Sequence, residues 1–597
     1  MCRIFGRFGA DTSPGRLARV AQRQRHGGPD DQQVLTGDRW ALGINRLAVL
    51  NPAGGRQPYR GDRVAAVFNG ELYNHHELRT RLAARGRHVP DPCDGAVIPA
   101  LFEEFGEAFV DLLDGMYAIA IVDPRRSPVL FLATDPAGMK PIYYRHNPQS
   151  GVVEFASELP ALLEFGDDRP AHRPLALDEY LTTKAGFGPD TFFEGIQIAP
   201  PGARLRVEQD RSTAPRQWLA AHVDAPADST APQDFSGAKL RQLLENEIAH
   251  MMAADVPLCS IVSGGLDSSI VTALAATQLP RLDTFTIGYQ GNWPHDETQF
   301  AQELAERYGT THHEVRLDPD EIPELLLRTV AHLGQPNADP ITVSTLALFR
   351  AVKSAGCTVA LTGDAADELF GGYDRIAVAA AAGAGPDWVP RYVDSLAAIP
   401  LAARRRLYTD DYKELVDAEP NVRDALINQM SGPGPRLPRV LAVERMRRLP
   451  AYHLRRVDHL SMACAVEARI PFCQRAIVDF AMRSPEDAKI DGNRRKRVLY
   501  DAAEGLVPPA IVARPKQPFT LPIVSMLAPG TPLMAFACDL LAPAAVRRRG
   551  ALEPAAVTAL IKRQAQEPST ESALAVWSLL VHAAWTDSAL ASSQVAA

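Results

Sequence analysis

The chain has no basic excess. Its 63 Lys and Arg stand against 71 Asp and Glu, a formal charge of -8 over 597 residues, so there is no positive field to hold a nucleic acid. It has no cysteine pairs either. Cys2, Cys93, Cys259, Cys357, Cys464, Cys473 and Cys538 are odd in number and scattered, with no C-x-x-C spacing, which argues against a zinc or dithiol site and fits a reducing compartment. No N-terminal apolar run reads as a signal peptide, and no segment reaches the ~18 uninterrupted apolar residues that span a bilayer. The nearest, Ala573 to Trp585, is short and carries Ser578 and His582. No fixed-period repeat is present. These absences predict a cytoplasmic protein without nucleic-acid or membrane partners, acting on small molecules.

What is present is enough apolar sequence, 46%, for more than one core, since single cores stop growing near ~250–300 residues. The first half reads as short strands punctuated by Gly and Pro (AAVFNGELYN, GMYAIAIVDP, SPVLFLATDP, GVVEFASEL) with few helices, Glu77 to Arg85 and Ala96 to Phe105 among them. That pattern predicts a layered α+β domain over 2–206. Residues 207–236 turn polar and rich in Asp, Ala, Pro and Ser, the composition of a linker. From 237 to 597 the style changes. Helix Gly237 to Ala253, strand VPLCSI, a helix, strand LDTFTIGY, a helix near Asp296 to Tyr308, strand HHEVRL and strand CTVALTGD alternate, which predicts an α/β parallel sheet. Beyond Tyr373 the chain reads as mostly helical.

Ser263 to Ser269 (SGGLDSS) falls between an apolar strand and a helix. Glycines there let backbone N–H groups approach an anion, the hydroxyls add donors, and the helix N-terminus adds a favourable dipole. The turn has no G-K-[ST] and so is not the Walker loop. It resembles the pyrophosphate loop of the N-type ATP pyrophosphatases. Thr362 to Tyr373 (TGDAADELFGGY), Arg455 to Phe472 (RRVDHLSMACAVEARIPF) and Arg514 to Phe519 (RPKQPF) likewise resemble segments of the glutamine-hydrolysing asparagine synthetases. The chain is therefore identified as a suspected member of the asparagine synthetase B family. The resemblance implies an ATP-pyrophosphatase domain that adenylates a carboxylate with ATP and Mg²⁺. It places the pyrophosphate on Ser263, Gly264, Gly265, Asp267, Ser268 and Ser269, adenosine on Ile261, Ile287, Thr362 and Gly363, and Mg²⁺ on Asp267 and Asp367. Asp364, where many members carry Glu, would act near the acceptor. Lys516 would stabilise charge in the transition state.

In the first half, Phe68 to Asn74 (FNGELYN) resembles the signature of class II amidotransferases, which are N-terminal-nucleophile (Ntn) hydrolases. The resemblance implies Cys2 as nucleophile after loss of Met1, with its own α-amine as base, and an oxyanion hole made by Asn69 and Gly70. It also implies that Arg46 grips the glutamine α-carboxylate and Asp94 its ammonium, with Leu47, Ala48, Val49, Leu50 and Glu71 as further contacts. Several positions depart from the family pattern: Arg3 for Gly, His26-Gly-Gly-Pro for H-R-G-P, Asp94-Gly-Ala-Val for D-x-E-V, and Thr134 for Arg.

The expected activity is glutamine-dependent amide formation, with aspartate the leading acceptor. A tailoring amidotransferase for another carboxylic acid, or a ring-closing enzyme like the β-lactam synthetases and lasso-peptide cyclases, is the alternative. A non-catalytic sensor should have lost one of Cys2, Asn69, Asp267 or Asp367, and all four are present. The segment Gly334 to Thr345, where the acceptor would approach, holds no Arg or Lys, so Arg375 or Arg469 would have to fold into the site to clamp a second carboxylate. His312 and His313 read as a strand entry with no zinc implied. His26 and His332 are unassigned, and homodimerisation is left open.

Overall fold

The computed structural model describes residues 1–125, 128–208, 216–218, 234–291, 293, 296–381, 387–514 and 520–594. Among the described residues, twelve strands fill the first part: β1 (Cys2–Phe8), β2 (Asp31–Gly37), β3 (Trp40–Arg46), β4 (Tyr59–Arg60), β5 (Ala65–Leu72), β6 (Gly115–Asp123), β7 (Val129–Thr134), β8 (Tyr143–His146), β9 (Val153–Ala156), β10 (Ile196–Ile198), β11 (Arg204–Glu208) and β12 (Arg216–Trp218). They form two six-stranded sheets, β10-β8-β9-β1-β3-β2 and β12-β11-β7-β6-β5-β4. Alternation along each strand builds the layers. Ile4 and Phe8 of β1, with Leu42 and Ile44 of β3, meet Val67, Ala120 and Leu132 of the other sheet in the core between the two. Phe5 takes the opposite face and packs with Leu17 and Val20 of helix Pro14–Arg23. Phe68 and Ile119 cover the far face with Leu78, Leu82 and Leu101. Each such side chain contributes about 1.5–3 kcal/mol on burial. The result is helices, sheet, sheet, helices, the α+β layering the strand pattern predicts.

The second part holds a parallel sheet of β13 (Leu258–Ile261), β14 (Asp283–Tyr289), β15 (Thr311–Leu317), β16 (Val359–Leu361) and β17 (Glu467–Arg469), in the order β15-β14-β13-β16-β17. The chain runs outward from β13 through β14 to β15, then returns to β16 on the other side. Strand order thus reverses between β13 and β16, the place where open α/β sheets bind ligands. Helices dominate beyond Tyr373, as expected, but β17 is a strand that the sequence pattern does not announce. Before it lies an 11-residue π-helix, Glu444–Leu454, with Pro450 inside.

Of the linker expected over 207–236, residues 209–215 and 219–233 lie outside the described residues. Between them β12 pairs with β11 at the edge of the second sheet. Ser236 then caps helix Gly237–Met251, its side chain accepting from the Lys239 N–H. No helix among the described residues is long and apolar enough to cross a membrane.

Candidate active sites

Cys2 opens β1 opposite Arg46, the last residue of β3, and only 5% of it is exposed. Its backbone N–H donates to Asn69 Oδ1 at 3.0 Å. Burial pushes the thiol up, against the opposing pull of the N-terminal ammonium. Asn69 is fully buried, and its Nδ2 has no hydrogen-bond partner among the described residues. A buried donor left unpaired costs about 1–3 kcal/mol, so this one is poised for an acceptor that arrives with a ligand. The next residue, Gly70, has φ +156°, and a Cβ there would lie 2.0 Å from Met116 O. No other residue fits. Gln57, which the sequence reading passed over, lies beside the thiol. Its Nε2 sits 3.8 Å from Cys2 Sγ and donates to Phe68 O at 3.0 Å, while its Oε1 accepts from the Phe68 N–H at 2.7 Å. Gln57 sits in no motif, which is why sequence alone did not find it.

Arg46 organises the loop that carries Leu47, Ala48, Val49 and Leu50. Its Nη2 donates to Leu50 O at 3.2 Å and Asn51 O at 3.0 Å. Ala48 N–H donates to Asp30 Oδ2 at 2.8 Å. Asp94 is buried, accepts from Leu72 N–H at 2.8 Å, and is raised by burial despite its backbone hydrogen bonds. Glu71 is raised well above the ordinary carboxylate range by burial and by Asp94, with Arg469 opposing.

At the other site the turns after β13 and β16 meet. Ser263 N–H donates to Ser268 Oγ at 3.1 Å, and Gly265 N–H to Ser263 Oγ at 3.2 Å, which curls the turn at the start of helix Leu266–Gln278. The two turns touch at Gly363, where a Cβ would lie 2.5 Å from Ser268 N. Buried hydroxyls of Ser269 and Thr362 have no hydrogen-bond partner among the described residues. Ile261 ends β13 and Ile287 is buried on β14. Asp364 receives Arg456 at 3.0 Å.

Asp267 and Asp367 converge on one point, which the ammonium of Lys496 fills. Its Nζ is 2.7 Å from Asp267 Oδ1 and 2.9 Å from Asp367 Oδ1. Burial would lower this lysine, but the two carboxylates outweigh it and raise it. Lys496 was missed because it stands in GNRRKR, indistinguishable by composition from a solvated basic run. Gly372 closes against the pair, since a Cβ there would lie 1.8 Å from Asp367 Oδ1. Two convergent hard-oxygen carboxylates already holding a cation are a donor set that fits Mg²⁺ alongside phosphates. Lys516 lies outside the described residues.

The two sites are joined through buried charge. Arg469 on β17 pairs with Glu467 at 2.6 Å and reaches Glu71 near the Cys2 site at 3.4 Å. Its carbonyl accepts from Thr362 N–H at 3.0 Å in the turn after β16. The Met1 ammonium pairs with Glu467 at 3.0 Å. Arg375 is likewise engaged, by Glu444 at 2.7 and 2.9 Å. Neither arginine named for the acceptor is free to clamp a second carboxylate as expected. His313 pairs with Asp283 at 2.7 Å and stacks on Phe285, while His312 Nδ1 lies 3.0 Å from Thr284 Oγ1. His26 and His332 form an edge-on ring pair, centroids 4.9 Å apart.

Comparison with known proteins adds to this geometry. Residues 239–587 match the family model described as asparagine synthase, and residues 1–219 match the glutamine amidotransferase domain. Among curated proteins, the chain is 30% identical to asparagine synthetase [glutamine-hydrolyzing] 3 of Bacillus subtilis, covering 82% of each chain. It is 29% identical to a putative asparagine synthetase [glutamine-hydrolyzing] of Mycobacterium tuberculosis, over 88% of this chain and 86% of that one. With asparagine synthetase B [glutamine-hydrolyzing] of Escherichia coli the identity is 28%, over 87% and 82%.

Proposed function

The chain belongs to the asparagine synthase family, and on that premise we propose that it is a glutamine-dependent synthetase that makes an amide from a carboxylate, with aspartate as the acceptor and asparagine as the product. Residues 2–206 form the glutaminase and 237–597 the ATP-cleaving domain. The observation that carries the reading is the buried, unpartnered Nδ2 of Asn69 one hydrogen bond away from the Cys2 backbone.

Loss of Met1 turns the Cys2 nitrogen into a free amine, able to take the thiol proton. The thiolate attacks the glutamine carboxamide, and Asn69 Nδ2 and Gly70 N–H meet the oxyanion, each donor contributing about 3–4 kcal/mol. The C–N bond breaks and ammonia leaves. Water then releases glutamate from the thioester and restores Cys2. Arg46 and Asp94 orient the glutamine by its carboxylate and ammonium.

Across the interface the acceptor carboxylate attacks the α-phosphorus of ATP. Pyrophosphate leaves into the Ser263 to Ser269 turn, where the N–H groups, hydroxyls and Lys496 receive its charge. Asp267 and Asp367 would hold Mg²⁺, which when bound neutralises charge on the phosphates. Ammonia arriving from Cys2 displaces AMP from the acyl carbon, completing the amide. Lys516 steadies the charged transition state.

The test is Cys2→Ala. This variant should lose all glutamine-dependent product yet retain ammonium-dependent synthesis, with AMP and pyrophosphate formed in equal amounts. Persistence of glutamine-dependent synthesis in Cys2→Ala, or ADP as the nucleotide product, would overturn the reading. Intact mass of the active protein should show Met1 absent.

A further inference from the structure

The edge strand β4 is only two residues long, and its ladder with β5 pairs Tyr59 with Ala66 and Arg60 with Ala65. Two steps further along the same register, Gln57 falls opposite Phe68. The intervening Pro58 has no N–H to give, and β4 stops at Tyr59. The Gln57 side chain continues the ladder in place of the main chain. Its Oε1 accepts from Phe68 N–H at 2.7 Å and its Nε2 donates to Phe68 O at 3.0 Å. Both backbone groups of Phe68, a buried residue, are thereby satisfied.

This pairing also fixes which end of the amide faces the Cys2 thiol. Only the carbonyl end can meet Phe68 N–H and only the NH2 end can meet Phe68 O, so turning the amide over would forfeit both bonds. Nε2 therefore spends one N–H on Phe68 and has the other for Cys2 Sγ, 3.8 Å away. Gln57 and Cys2 are both buried, so little water competes for the sulfur. Burial pushes the thiol up, because it disfavours the charged form, and a fixed N–H donor aimed at the sulfur acts in the opposite sense. The next residue after Phe68 is Asn69, whose buried Nδ2 has no partner among the described residues. One side chain thus ties the strand that carries the oxyanion donors to the atom that attacks.

We propose that Gln57 is a further catalytic residue of the glutaminase, donating its second amide N–H to the Cys2 sulfur as the thiolate forms and, through Phe68, holding that sulfur in register with Asn69 and Gly70. The thiol proton goes to the Cys2 amine, and Gln57 neither gains nor loses one. This rests on the glutaminase reading above and goes beyond it by assigning what sets the reactivity of the nucleophile.

The experiment follows alkylation of Cys2 by iodoacetamide from about pH 5 to about pH 10 in the full-length protein, read on the N-terminal peptide by mass spectrometry so that the other cysteines do not contribute. Glutamine hydrolysis is measured on the same samples. The N-terminal amine, Arg46, Asp94 and Tyr59 are the other titratable groups set against the thiol, and all remain in each variant. Gln57→Leu removes the donor and should move the alkylation midpoint up by about one pH unit. Gln57→Glu keeps the size and the bond from Phe68 N–H but sets an anionic oxygen against the sulfur, and should move the midpoint up further. Glutamine hydrolysis near neutral pH should fall about tenfold or more in both, with its pH profile displaced alongside the alkylation midpoint. Gln57→Met fills the same space without a donor and replaces Gln57→Leu if that variant does not fold. A side chain that only braced the strand would lower activity without moving the midpoint and would not place Glu beyond Leu. Midpoints within about 0.3 unit of wild type in the variants, in a protein that hydrolyses glutamine, overturn the role of Gln57 and leave the glutaminase standing. Midpoints that move as expected in a protein that hydrolyses no glutamine leave the Gln57 bond to the thiol standing and overturn the glutaminase.

Discussion

The guanidinium of Arg3 passes over Gly27, where a Cβ would lie 2.8 Å from its Cγ and Nε. The family pattern has the reverse arrangement, glycine after the nucleophile and arginine in H-R-G-P, so the two departures at positions 3 and 27 occupy one space between them. Arg3 is wholly buried and pairs with Asp458 and Glu158, each at 2.7 Å. Asp458 also receives Lys140 at 2.9 Å, and Glu158 also meets His26 at 3.0 Å. Arg3→Gly should therefore destabilise the protein by about 3–5 kcal/mol, the cost of breaking a buried pair, and Gly27→Arg alone should clash with Arg3. The double variant should recover more than the two single losses add up to, a coupling that a double-mutant thermal-unfolding cycle measures directly. The sequence marked both positions as unusual, but nothing in a single sequence connects them, because the connection is steric. The motif-borne residues Cys2, Asn69, Gly70, Asp267 and Asp364 stand out in the sequence as candidates because their neighbours form recognisable motifs.

β17 shows where legibility stops for elements. β13, β14 and β16 each follow from an apolar run ending in a turn and β15 from its place in the strand-helix alternation, whereas β17 has three residues, Glu467, Ala468 and Arg469, two of them charged, inside a helical context. It is a strand because β16 offers an open edge, Leu361 pairing with Arg469, and because its two charges neutralise each other in the interior. Propensity gives no sign of this, since tertiary pairing decides it. The position matters, because Arg469 touches the Glu71 side of the glutaminase site and the Thr362 side of the nucleotide turn. Arg469→Met leaves Glu71 and Glu467 without their cation, while the backbone bond from Thr362 N–H to residue 469 remains. The expected outcome is a glutamine KM raised about tenfold, on the scale of a lost charge-assisted hydrogen bond, and more than one glutamate formed per pyrophosphate. Paired product assays read both. Unchanged stoichiometry would mean that the strand carries structure and no coupling.

At the scale of the whole molecule, buried acids anchor Arg3 from both halves: Glu158 within the first half and Asp458 from the second, each an acid that burial alone would raise. For Glu158, burial pushes the carboxyl up, but His26 and then Arg3 outweigh it and hold it at about 2, against an ordinary value of 4.5. Asp458 is likewise held below its ordinary 3.8 by Arg3 and Lys140. A carboxyl whose folded value lies below its unfolded value binds fewer protons in the folded state, so stability rises with pH across that gap. Its contribution is complete above about 4.5 and is lost as pH falls from there toward about 2. The buried cluster around Arg3 should therefore weaken in mild acid. Scanning calorimetry from pH 6 to pH 3 should show the melting temperature steady at first and then falling steeply below about pH 4.5. Glu158→Gln should lower the melting temperature at pH 6 and flatten the decline, since the variant has no proton to take up there. A decline equally steep in Glu158→Gln would place the acid sensitivity elsewhere than in the Glu158 pair with Arg3 and His26.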